Sequence, residues 1–306
     1  MIVRYFEEFA RYSAIAFIAS ACSGSEVGGG SIGIGGNGSG GTSGSTSSIT
    51  GGARATGGAV SSAGAHATGG ASSAGNTGVA GSQATGATIV PLYSYPTDTS
   101  WPAIVAAKRA HPGVTVIAIA NVDNGPGSSV DSAFTNGITS LVQAGIEAIG
   151  YVYTSYGARP AATVKADIDR WHRLYPNVSG IFFDEESNTN GGDGYYRDLS
   201  SYVKSLGMAL TVANPGTDTS SAYINAVDVT FIYESAGLPG STQLSTWRSK
   251  YDMQRVGVIP YASTLDTAWV TQARSAIRYM YITDDVLPNP WDTLPSYFSN
   301  LLGALE

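Results

Sequence analysis

From Ala87 to the C-terminus the chain alternates short β-branched or aromatic runs with longer segments of helical spacing, and this alternation constrains the fold more than any other feature. The expected strands are Thr88–Tyr93, Val114–Asn121, Glu147–Thr154, Gly180–Asp184, Ala209–Ala213, Val229–Tyr233, Val256–Tyr261 and Ile277–Thr283. Between them, Trp101-Pro102 opens a helical segment that runs to Arg109 and stops at His111-Pro112-Gly113. Phe134, Ile138, Leu141 and Val142 fall at i, i+4, i+7 and i+8, and Val164, Ile168, Trp171 and Tyr175 repeat the stripe. Further stripes carry Leu199 and Val203, then Leu244 and Trp247, then Trp269 onward, and finally Phe298, Leu301 and Leu302. Repeated strand–helix units imply a parallel sheet. Eight of them in about 220 residues imply a single (β/α)8 TIM-type barrel, an α/β fold that typically takes about 250 residues and can form with about 200. An open doubly wound sheet is the competitor, but Leu92-Tyr93-Ser94-Tyr95-Pro96 follows the first strand where a Gly-rich phosphate loop would stand.

The barrel is expected over 87–306, because residues 23–86 cannot join it. They are almost entirely Gly, Ser, Ala and Thr, with Glu26 and Arg54 as the only formal charges and no Phe, Tyr or Trp. Such a composition buries too little apolar surface to offset chain entropy, so a disordered tether is expected. Residues 1–22 carry Arg4 and Arg11, the apolar run from Ala14 to Ala19, and then Ser20-Ala21-Cys22. This is the pattern of a secretory signal, too short to span a bilayer. The small residues before Cys22, the single cysteine, resemble a bacterial lipobox, although Glu7 and Glu8 interrupt the basic region and Ala19 replaces the commoner leucine. The expectation is therefore an extracytoplasmic protein lipidated at Cys22, a bacterial surface or outer-membrane protein meeting the membrane only through that anchor; a plain signal peptide with an incidental cysteine, giving a secreted protein, is the alternative.

The formal net charge is −7, and the three arginines and three glutamates of the first 86 residues cancel, so the excess lies on the folded part. No basic stripe exists to neutralise phosphates, which excludes nucleic acid as the expected partner. A neutral or cationic polysaccharide fits better. A monomer is expected.

In a barrel of this kind the carboxyl ends of the strands surround one pocket. Those ends carry Tyr93, Asn121 with Asp123, Tyr153, Asp184 with Glu185 and Glu186, Asn214, Glu234, Tyr261, and Asp284 with Asp285. Acids, amides and aromatic faces together are what a sugar site uses. Bland roles compete. Asn121 and Asn214 equally fit strand-terminal residues bonding local backbone, the tyrosines fit a barrel rim, and Asp284 fits a loop cap before Pro288. The run Asp184-Glu185-Glu186 is harder to set aside, because adjacent carboxylates repel and gain nothing from ending a buried strand. Glu234 ends Val229-Thr230-Phe231-Ile232-Tyr233 in the same abrupt way.

Other chemistries lack their parts. A zinc hydrolase wants histidines, and only His66, His111 and His172 exist, none at a strand end. No Gly-x-Ser-x-Gly elbow follows a strand. Hydrolysis by a carboxylate pair remains, and it requires neither cofactor nor metal. Polysaccharide binding without cleavage is the alternative, disfavoured because pure binding has no use for two desolvated carboxylates facing each other.

The segments Val90-Pro91-Leu92-Tyr93, Ile119-Ala120-Asn121 with Gly125-Pro126-Gly127, Gly150-Tyr151-Val152-Tyr153-Thr154, Phe182-Phe183-Asp184-Glu185, Asn214-Pro215-Gly216 and Tyr233-Glu234 resemble the spherulin-4 proteins, spherulation-specific family 4, classed as glycoside hydrolase family 135. The resemblance implies an endo-acting α-1,4-N-acetylgalactosaminidase that cuts galactosamine-containing exopolysaccharide, with a glycosidase of another exopolysaccharide as the alternative. It also implies that Asp184, Glu185 and Glu234 are the essential acids, with Glu186 outside the pattern. By analogy with barrel glycosidases, the nucleophile is expected at Asp184 or Glu185 and the acid/base at Glu234. Tyr93, Asn121, Tyr153, Glu186, Asn214, Tyr261 and Asp284 are expected to bind substrate.

Overall fold

The computed structural model describes residues 85–306. The expected signal segment 1–22, Cys22 and the tether as far as residue 84 lie outside the described residues. The described part is a closed barrel of eight parallel strands in sequence order: β1 (Ala87–Leu92), β2 (Thr115–Ala120), β3 (Glu147–Tyr153), β4 (Gly180–Asp184), β5 (Leu210–Ala213), β6 (Val229–Tyr233), β7 (Val256–Val258) and β8 (Tyr279–Met280). Pairing of Ala87 with Tyr279 closes the ring. The outer helices are α1 (Ser100–Ala110), α2 (Ser132–Gln143), α3 (Ala161–Leu174), α4 (Asp193–Ser205), α5 (Ser221–Ile224), α6 (Ser241–Lys250), α7 (Thr267–Ala273) and α8 (Phe298–Leu305). The barrel expected from the alternation is the barrel observed.

Every expected strand forms, since both faces of a barrel strand are covered and each had to be an apolar run. The last two pair over fewer residues than expected. Pro260 has no N–H to give the ladder, yet the extended backbone continues past it: Ile259 N–H reaches Tyr233 O at 2.9 Å, and Thr283 N–H reaches Pro260 O at 3.2 Å. Helix α5 was not expected. Its single turn between β5 and β6 is too short to show a periodic stripe, and it buries only Tyr223 and Ile224.

The barrel interior is filled by a chain of rings. Tyr93 meets Tyr151 edge-on with centroids 5.5 Å apart, Tyr151 lies 5.9 Å from Phe182, and Phe182 lies 5.9 Å from Phe231. Gly257 makes room for the last of these, because a Cβ there would stand 2.8 Å from the Phe231 ring. On the outside, a Cβ on Gly150 would come within 2.4 Å of Trp171, whose indole N–H donates to Tyr151 O at 2.8 Å. Helix α3 thus sits directly on β3, which fixes the height of Tyr151. The base is tied by Gly86 N–H to Leu305 O at 2.9 Å, joining the start of β1 to the last helix.

Candidate active site

Alternation along β4 sends Phe182 into the barrel, Phe183 out and Asp184 in again, above the ring stack. Tyr151, pointing inward from the neighbouring strand, donates its hydroxyl to Asp184 Oδ2 at 2.9 Å. After Asp184 the pleat ends: Glu185 takes φ = +53°, a left-handed conformation rare for a residue with a side chain. Its carbonyl is held by Tyr156 N–H at 2.8 Å and Thr154 Oγ1 at 2.7 Å. That turn keeps the Glu185 carboxyl beside Asp184, where regular alternation would have sent it to the opposite face. Among the described residues the other non-glycine positions with positive φ are Asn124, Ser155, Tyr156 and Ala262. All follow strand ends on the same rim. Backbone strain of this kind costs about 1 kcal/mol or more per residue and concentrates where a site must be shaped.

Glu234 reaches the pocket by a different device. Phe231 faces the interior, so an unbroken pleat would turn Tyr233 in and Glu234 out. The β6–β7 register is irregular between Phe231 and Tyr233, a bulge. Tyr233 instead lies against Trp247 of α6, its ring 6.0 Å away, and Glu234 turns inward. Re-aiming one side chain beside a site is a recurrent use of a bulge.

Asn214, at the end of β5 between these strands, joins the two acids. Its Nδ2 donates to Asp184 Oδ1 at 3.0 Å and to Glu234 Oε2 at 2.7 Å. The amide orientation follows from its other end, because Gly216 N–H donates to Asn214 Oδ1 at 2.9 Å and leaves the NH2 facing the carboxylates. Two donors on one planar nitrogen diverge, so the accepting oxygens stand roughly 5 Å apart.

The electrostatics follow from burial. Asp184 is raised above the usual carboxylate range by desolvation, against which the Glu185 N–H, the Tyr151 hydroxyl and the Asn214 amide pull it down. Glu234 is pushed up to about 7 by burial and by the charge of Asp184, with the Asn214 amide and the Trp291 side chain opposing. Glu185 also rises to about 7, through burial and Asp184, although Ser155 donates to it from both backbone and side chain. The exposed Tyr156 phenol is raised to about 12 by partial burial and by the charges of Glu185, Asp184 and Glu234. A pair of acids with protons to exchange near neutral pH, beside a carboxylate rich in donors, can perform general acid and nucleophilic steps.

The remaining expected residues divide. Tyr93 is buried under Tyr151, and Tyr261 is buried edge-on to Trp291 at 6.2 Å and feels the charge of Glu234. Asn121 accepts from Gly125 N–H at 2.9 Å and so shapes the loop after β2. Tyr153 carries the Arg159 guanidinium over its ring at 3.9 Å. Glu186 is buried, and among the described residues neither carboxyl oxygen has a hydrogen-bond partner. Asp284 is exposed on the loop after β8, its backbone bonded to the Tyr297 hydroxyl. The structure therefore gathers Asp184, Glu185, Asn214 and Glu234 into one cluster, with Tyr261 at its edge. Sequence reasoning missed Tyr151, Ser155, Tyr156 and Trp291. Tyr151 was accessible, two residues before Tyr153 on the same face of β3; the other three lie in irregular segments with no period to expose them.

A family model described as Spherulation-specific family 4 matches residues 87–305. Spherulin-4 of Physarum polycephalum is 33 % identical over 233 residues, covering 71 % of this chain and 69 % of that protein. The fold is shared with a crystal structure of Aspergillus clavatus Sph3 in complex with GalNAc, at a TM-score of 0.64 and 23 % identity, over 72 % of this chain and 97 % of the other.

Proposed function

The chain belongs to the spherulation-specific family 4, and from that premise we propose that it is a glycoside hydrolase acting on α-1,4-linked, N-acetylgalactosamine- or galactosamine-containing exopolysaccharide. The observation that carries the reading is the bridge from Asn214 to both Asp184 and Glu234. The resemblance in the strand-end motifs and the GalNAc held by Sph3 support the sugar class.

In this reading Asp184 is the nucleophile. Three donors converge on its carboxylate and favour the anion at the moment of attack. Glu234, titrating at about 7, carries the proton delivered to the leaving glycosidic oxygen and afterwards draws a proton from the incoming water. With both carboxyls held by one amide, Asp184 meets the sugar directly with no water between them, and hydrolysis in this reading proceeds with retention through a glycosyl-enzyme intermediate. Glu185 and Tyr156, beside the pair, bind the sugar that is cut. Delivery of the protein to the cell surface through a lipid on Cys22 is part of the same proposal.

Digestion of an α-1,4-galactosaminan followed by proton NMR tests it. New reducing ends that appear first as the α anomer are expected. Binding of the polymer with no release of reducing ends would instead establish a lectin-like module.

A further inference from the structure

A cavity of about 260 Å³ opens between the loop after β5, the end of β6 and the first turns of α6. Its lining includes Gly216, Thr217, Tyr233, Thr242, Gln243 and Thr246. Hydroxyls and an amide beside an aromatic ring suit the hydroxyls and C–H faces of a pyranose. The one acid on its wall, Asp218, is already engaged by Lys250 Nζ at 2.8 Å and by the Tyr251 hydroxyl, so the cavity presents no uncompensated charge. This sets it apart from the active site, where three carboxylates meet.

The two places share a wall. Gly216 has φ = +67°, and a Cβ there would lie 3.6 Å from Glu234 Oε2. Glu234 N–H donates to Gly216 O at 3.0 Å, while Gly216 N–H donates to Asn214 Oδ1 at 2.9 Å. The loop that lines the cavity therefore also orients both the bridging amide and the proposed acid. We propose that this cavity is an accessory saccharide subsite that takes a neutral pyranose unit, N-acetylated where the unit is an aminosugar, from the same chain whose bond lies between Asp184 and Glu234. The proposal rests on the reading of the site as a polysaccharide hydrolase. It makes the enzyme prefer substrates long enough to reach both places.

The test uses a non-cleaving Asp184→Asn protein and measures its affinity for α-1,4-GalNAc oligomers of increasing length, with and without Thr246→Trp. Thr246 is exposed on α6, so an indole there fills the cavity without entering the core; Thr242→Trp serves as a second filling variant. Affinity is expected to step up at the length that reaches the cavity. Both filling variants should remove that step, an effect of about tenfold, or roughly 1.4 kcal/mol. Thr271→Trp, on the outer face of α7, should leave the series unchanged. Affinity independent of length, or filled variants that match their parent at every length, overturns the subsite even if the wild type cleaves polymer. Length-dependent binding lost on filling, in a protein whose wild type releases no reducing ends, keeps the subsite and removes the hydrolase reading.

Discussion

Asn214 Nδ2 lies 2.7 Å from Glu234 Oε2 and uses its other hydrogen on Asp184. One amide therefore sets both the spacing and the charge balance of the pair. Asn214→Ala removes two donors from buried carboxylates, so kcat/KM on polymer is expected to fall about 10²-fold and stability to drop by about 1–3 kcal/mol. Asn214→Asp places a third negative charge between the two, so Glu234 should titrate higher and the alkaline limb of the pH–rate profile should move up.

Tyr151→Phe deletes the hydroxyl that holds Asp184 as an anion at 2.9 Å. A bond to a charged group contributes about 1.5–3 kcal/mol. Because this bond lowers the Asp184 pKa, its loss raises it, and the acidic limb of the pH–rate profile should shift upward by about one unit. The Phe ring keeps the contacts with Tyr93 and Phe182, so a loss of stability well beyond that one bond would contradict the assignment.

The barrel was legible because closure on both faces forces each strand into an apolar run, and Asp184 was legible because alternation from Phe182 carries it inward. Glu234 was found by its position after an apolar run, but its inward aim depends on the bulge before it, which leaves no mark in composition. The bridge made by Asn214 was equally hidden: an amide at a strand end reads the same whether it bonds a loop or two acids. Trp291 reaches Glu234 from the segment after β8, where no periodicity exists to read.

The acids should make the protein less stable as the pH rises. A carboxyl whose folded pKa exceeds its unfolded value binds more protons when folded, so its stabilising proton is fully present below the unfolded value and is lost as pH rises through the folded one. For Glu234 that window runs from the ordinary glutamate value of 4.5 to about 7. Glu234→Gln is expected to melt higher than wild type at pH 8, by the equivalent of roughly 1–2 kcal/mol, and to show a smaller difference at pH 4. Thermal melts at the two pH values check the sign.

Glu186 sharpens the same point. Its carboxyl is 1 % exposed, lacks a partner on either oxygen among the described residues, and is raised well above the usual range by burial. Replacing an unpartnered buried acid by an apolar side chain of similar size removes a desolvation cost. Glu186→Met should therefore be neutral or stabilising at pH 8 in a denaturant melt, whereas a loss of several kcal/mol would mean that the acid has a partner in solution.

The central claim is that Asp184 and Glu234 act as a pair, and reducing-end release by matched variants tests it most directly. Asp184→Asn and Glu234→Gln, each shown by circular dichroism to keep the barrel, should lower depolymerisation of an α-1,4-galactosaminan by about 10³-fold or more. Release by the Glu234→Gln protein at near the wild-type rate would contradict the account.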